Sequence, residues 1–173
     1  MESSTTRYVY KYQEFLKDIK KIQKWLKPQR DGYTKFGVAP WEPDVIVSIN
    51  RGGLMPGVYL SHALNIPHIP IHYQTRDGLT SAGHHKEIWH MPGRPPNFNY
   101  DLNILLIDDM NDYGKTFSDI WKHWDEHNLG EGPLKRRVRT VSLIERKGSK
   151  FTVDYSPVML DIKDWVVFPW EDF

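Results

Sequence analysis

Ile104-Leu105-Leu106-Ile107-Asp108-Asp109-Met110-Asn111-Asp112-Tyr113-Gly114-Lys115-Thr116 joins a short apolar run to three acids and a glycine-bearing turn. The run from Asn103 to Ile107 reads as a buried strand, too short and too apolar for a helix. From Lys115 to Asn128 the pattern changes, and Phe117, Ile120, Trp121 and Trp124 recur at helical spacing. A strand that ends in acids and opens a helix is how open α/β sheets present ligands, at the carboxyl ends of their strands. The free N–H groups and positive dipole end of the helix suit a phosphate. Asp108 and Asp109 can hold sugar hydroxyls, and the amides of residues 112 to 116 can hold a 5′-phosphate. Helix capping by Asp accounts for one acid or two, not for three within five positions. A receiver domain also sets paired acids after a strand. That fold places them after its first strand and needs a further Asp and a Lys after later strands, for which too little chain remains.

Upstream, Ser48-Ile49-Asn50-Arg51-Gly52-Gly53-Leu54-Met55-Pro56-Gly57 repeats the layout. The β-branched run Asp44–Ile49 is a strand, the glycines make a tight loop, and Leu54–Leu64 reads as a helix. Successive amides in such a loop form an anion nest, with Arg51 adding charge. No Lys-Ser/Thr follows at the spacing of a Walker loop, and a Gly-Gly after a strand is by itself commonly only a turn. Downstream, Asp161-Ile162-Lys163-Asp164-Trp165-Val166-Val167-Phe168-Pro169-Trp170-Glu171 is an aromatic tail. For one tryptophan, closing the core is the simpler role.

The remaining chain supplies the frame. Tyr12, Phe15, Leu16, Ile19, Ile22, Trp25 and Leu26 mark an amphipathic helix that should stop before Pro28, with a loop from Lys27 to Trp41. Ile66–Tyr73, Val138–Ile144 and Val158–Ile162 read as further strands. Gln74 to Asn103 is long and polar, and loops of this length in compact domains usually serve function. The alternation predicts an α/β fold: a mostly parallel central sheet flanked by helices. With 173 residues, 39% hydrophobic and 26% charged, one domain with a sizeable core is expected. The net charge of +1 gives no field suited to nucleic acid or an anionic membrane. The absence of cysteine removes disulfides and thiolate metal sites and fits a reducing compartment. The polar start carries no apolar signal segment and no run is long enough to span a bilayer, so a cytoplasmic location is expected.

In this order the three segments resemble type I phosphoribosyltransferases, most closely the bacterial xanthine–guanine branch, from about Asp44 to Phe173. The acid-rich stretch is similar to that family's phosphoribosyl-pyrophosphate motif, Asn50–Gly53 to its pyrophosphate loop, and Trp165-Val166 with Pro169-Trp170-Glu171 to its base-binding tail. Asn111, Tyr113, Lys115, Arg146 and Glu171 each differ from the residue usual at that place. The resemblance implies a single domain over 1–173: an N-terminal helix and loop (1–43), a mobile catalytic loop (74–102) and a small C-terminal hood that binds the base (157–173). It implies transfer of a 5-phosphoribosyl group to guanine, xanthine or hypoxanthine, with release of pyrophosphate. Asp108 and Asp109 would hold the ribose hydroxyls and Mg²⁺. Asp112 would serve as the base for the purine N7 proton. Arg51, Gly52 and Gly53 would bind pyrophosphate, and Asn111, Tyr113, Gly114, Lys115 and Thr116 the 5′-phosphate. Arg146 would read the 6-oxo group, Trp165 would stack on the purine, and Val166 and Glu171 would complete the base site. A cis Asn50–Arg51 bond and a homo-oligomer, dimer or tetramer, are implied as well. A regulator of the same fold that binds nucleotide without turnover, and a transferase for another base, remain as alternatives.

Overall fold

A computed structural model describes residues 7–31, 41–73, 102–126, 133–161 and 165–171, with side chains omitted for 28–31. The segment expected to close over the site, 74–102, lies almost wholly outside the described residues. The elements among the described residues are, in chain order, β1 (Arg7–Val9), α1 (Tyr12–Asp31), β2 (Val45–Asn50), α2 (Leu54–Leu64), β3 (His68–His72), β4 (Ile104–Asn111), α3 (Lys115–Glu126), a 3₁₀ turn (Leu134–Arg136), β5 (Val138–Arg146), β6 (Val158–Leu160) and β7 (Trp165–Val167).

The main sheet has the order β3-β2-β4-β5-β6, and every pairing in it is parallel. Alternation along the strands splits the core. Ile46, Leu105 and Ile107 face a cluster with α1, α2 and the tail, including Phe15, Ile22 and Phe168. Val47, Ile104 and Leu106 face Phe117, Ile120 and Trp124 of α3. Helices therefore cover both faces, as a parallel sheet requires. Among the described residues no helix is long and apolar enough to cross a membrane.

Three expectations change. Helix α1 continues to Asp31 instead of stopping before Pro28. A proline there removes one main-chain donor late in the helix, while the buried stripe Phe15, Ile19, Ile22 and Leu26 anchors the earlier turns. At its start, the Lys11 N–H donates to the Glu14 carboxylate at 2.8 Å, half of a capping box. Strand β4 runs through the acids to Asn111, because β5 pairs with it as far as Asn111↔Glu145. The N-terminal segment also contains a strand that was not expected: β1 pairs in parallel with β7, Tyr8 opposite Val166, and ties the tail to the domain.

Candidate active site

The chain steps from β2 outward to β3, returns to β4, and steps the other way to β5. Between β2 and β4 the direction reverses, and such a switch point opens a crevice at the carboxyl ends of the strands. The loop after β2 and the turn after β4 face each other there. The Asn50–Arg51 peptide bond is cis, as the resemblance implied. Gly52 sits so close to β4 that a Cβ on it would lie 1.9 Å from Asp109 Oδ2; any side chain there would displace the carboxylate. Gly53 lies deeper, its N–H donating to the Ile49 carbonyl at 2.9 Å. It packs the loop onto the sheet. Arg51 is exposed at the mouth.

Asp108 is buried, and its Oδ1 accepts the Asp109 N–H at 3.0 Å. Burial and then the neighbouring charge of Asp109 push its carboxyl well above the usual range. Burial first, and then the charge of Glu171, raise Asp109 to about 6. Among the described residues neither acid has a salt bridge. Asp112 differs, since its Oδ1 accepts the Arg146 Nε–H at 2.5 Å, joining the ends of β4 and β5. The two residues expected to act on the purine are therefore side by side.

The phosphate turn is less uniform than the sequence suggested. Gly114 has φ 81° and turns the chain into α3. A Cβ there would come within 2.4 Å of the Phe151 nitrogen, so glycine is needed for conformation and for space. Thr116 occupies the first turn of α3, where main-chain N–H groups lack helical partners. Tyr113 is 74% exposed, and only its main chain faces the protein, its carbonyl accepting the Lys150 N–H at 3.2 Å. Lys115 pairs its ammonium with Asp119 one helical turn on, an i,i+4 pair in the weaker orientation, with the acid on the C-terminal side. Asn111, expected at the phosphate, is 1% exposed and hydrogen-bonded inward, because β4 extends through it and turns its side chain into the protein. These three side chains therefore do not form a phosphate cradle; the main chain of 112–116 can.

In the tail, Trp165 is 51% exposed at the start of β7. The Val166 side chain belongs to the core, so only its main chain can meet a ligand. Trp170 stacks on Phe168 with centroids 4.9 Å apart and meets Phe15 edge-on. The Glu171 carboxylate accepts the Phe168 N–H at 3.2 Å, and its charge reaches Asp109. Sequence reasoning missed this approach, the Asp112–Arg146 pair and the part played by Glu145, since no local pattern links residues so far apart.

A family model for the phosphoribosyl transferase domain matches residues 9–171. The chain belongs to that family. It is thus an enzyme of the glycosyltransferase class, a pentosyl-transferring phosphoribosyltransferase, and the match starts at β1, well before the stretch that carried the resemblance. Solved structures share the fold. A purine phosphoribosyltransferase from Pyrococcus horikoshii is 24% identical with a TM-score of 0.69, covering 96% of this chain and 95% of its own. The Helicobacter pylori xanthine-guanine-hypoxanthine phosphoribosyltransferase is 22% identical with a TM-score of 0.66, covering 96% and 94%. A hypothetical protein from Neisseria gonorrhoeae with bound ppGpp is 17% identical with a TM-score of 0.63, covering 99% and 93%.

Proposed function

We propose that this phosphoribosyltransferase transfers the 5-phosphoribosyl group of phosphoribosyl pyrophosphate to a 6-oxopurine: guanine, xanthine or hypoxanthine. The observation that carries the reading is the Asp112–Arg146 pair beside Asp108 and Asp109 at the switch point. The O6 and N7 atoms of a 6-oxopurine lie on one edge. A guanidinium has only donors and stays charged, so it suits O6. A carboxylate beside it accepts from N7–H. Adenine presents an amino group to the same guanidinium and leaves donors facing donors.

The donor set suits Mg²⁺. Two adjacent carboxylates, one buried and one partly buried, without a cationic partner among the described residues favour a hard cation, and Mg²⁺ draws the rest of its shell from water and substrate oxygens. Asp108 and Asp109 would hold it, directly or through the ribose hydroxyls. When bound, the ion supplies charge that offsets the pyrophosphate oxygens. Arg51 and the loop main chain bind the pyrophosphate, and the main chain of 112–116 holds the 5′-phosphate. The bond from C1′ to the pyrophosphate oxygen breaks, a bond from purine nitrogen to C1′ forms, and Asp112 takes the N7 proton. Donors aimed at the departing oxygens favour the charge that develops there. Trp165 stacks on the base and adds affinity for any purine. We further propose a cytoplasmic homo-oligomer.

Initial rates of pyrophosphate release with hypoxanthine, guanine, xanthine and adenine test the reading. Use of the three 6-oxopurines and poor use of adenine supports it. The likeness to the ppGpp-bound Neisseria fold favours a second reading, a regulator that binds nucleotide without turnover. Nucleotide binding with no pyrophosphate release from any base would select that reading.

A further inference from the structure

Beneath the Asp112–Arg146 pair lies a second cross-strand pair that takes no part in the chemistry above. Asn111 and Glu145 are register partners at the ends of β4 and β5, 1% and 5% exposed. The Asn111 amide donates to Glu145 Oε1 at 3.0 Å and to the Phe151 carbonyl at 2.6 Å. The Val153 N–H donates to the same Glu145 oxygen at 3.3 Å. Turned over, the amide would set its oxygen against two acceptors, so its aim is defined.

The segment these bonds capture, 149–153, also touches the phosphate turn. The Lys150 N–H donates to the Tyr113 carbonyl at 3.2 Å. The Ser149 hydroxyl donates to the Phe151 carbonyl at 2.9 Å, and Phe151 leaves no room for a Cβ on Gly114. Burying an amide and a carboxylate at a sheet end costs free energy unless they are bonded. Here one donor of the amide holds the Phe151 carbonyl and the other the Glu145 carboxylate, which in turn holds the Val153 N–H.

We propose that Asn111 and Glu145 are positioning residues that clamp segment 149–153 onto the 112–116 turn, fixing the aim of Asp112 and of the phosphate-binding main chain. This rests on the transferase reading above. Asn111 thus serves the phosphate site from beneath rather than as a ligand. Aspartate could not replace it, having no donor for either acceptor. A Val–Val pair could refill the volume but not hold the Phe151 carbonyl.

The test compares wild type, Asn111→Val and Asn111→Val/Glu145→Val by peptide-level hydrogen exchange and steady-state kinetics, well below each Tm. Both variants should exchange faster over 149–153 and 112–116 than wild type while the distant α1 is unchanged. They should also raise KM for phosphoribosyl pyrophosphate about tenfold or more, with a smaller change in KM for hypoxanthine. The double variant, freed of the stranded carboxylate, should regain Tm but not KM. Exchange unchanged over both segments, or a wild-type KM in the double variant, overturns the clamp. A wild type that releases no pyrophosphate would instead overturn the transferase reading, and the exchange comparison would then decide the clamp alone.

Discussion

Asp108 and Asp109 stand three to four residues from Asp112, yet β4 places them in opposite electrostatic situations. Asp108 is buried and Asp109 partly buried; desolvation raises both carboxyls, with the charge of Asp109 adding at Asp108 and that of Glu171 at Asp109. Asp112 is neutralised by Arg146. A pair of acids held without a cation is stable only as a partly protonated unit, ready for a cation that arrives with substrate. An acid already matched to a guanidinium needs no metal and is set to exchange its partner for a base. On this contrast we propose that the first pair serves sugar and metal, and Asp112 with Arg146 the purine.

The largest effect should fall on base choice. Wild type should favour hypoxanthine over adenine by roughly 10⁴ in kcat/KM, a discrimination typical of sites built on polar pairing. Arg146→Ala should lose most of it, chiefly by losing hypoxanthine. Measured efficiencies for both bases decide; an unchanged preference would make Arg146 only the counter-ion of Asp112. Next, Asp112→Asn should lower turnover about a hundredfold or more, the usual contribution of a positioned base. Binding of phosphoribosyl pyrophosphate, measured by calorimetry, should be nearly intact. Asp109→Ala should show the reverse emphasis, weak sugar and magnesium binding. Similar profiles for the two variants would erase the distinction.

A smaller effect separates the acids by pH. The carboxyl of Asp109 is raised from 3.8 to about 6 in the fold. The folded state therefore binds the extra proton, so its contribution to stability is present below about pH 4 and lost as pH rises through about 6. Metal-free protein should lose on the order of 3 kcal/mol as pH rises through that range, at roughly 1.4 kcal/mol per unit of pKa shift. Asp109→Asn should flatten the profile, as chemical denaturation at stepped pH would reveal. Smallest of all, Lys115→Ala should change stability by about 0.5 kcal/mol or less, as for other exposed helix pairs. It should also leave KM for phosphoribosyl pyrophosphate within a few-fold. A tenfold rise would return Lys115 to the phosphate.

Much of this site was legible in the sequence because its frame is local. Ile104–Ile107 and Val45–Ile49 are apolar runs closed by glycine-bearing turns, and each opens a helix. The acids and the loop follow from those positions. What was illegible depends on pairing across the sheet. Only the register with β5 carries β4 through its acids and buries Asn111 against Glu145, 34 residues away. Asp112 and Arg146 are equally distant in sequence. Strands of three residues, such as β1 and β7, show no period, so the anchoring of the tail was invisible. Pro28 misled because a local rule about helix ends was overruled by the tertiary anchoring of α1.

The central claim is transfer to a purine rather than binding or hydrolysis. It is tested most directly by supplying phosphoribosyl pyrophosphate and Mg²⁺ with and without hypoxanthine and following both products. Pyrophosphate release is expected only when hypoxanthine is present, with one inosine monophosphate formed per pyrophosphate. Release that proceeds equally without a base, or no release with any purine, would contradict it.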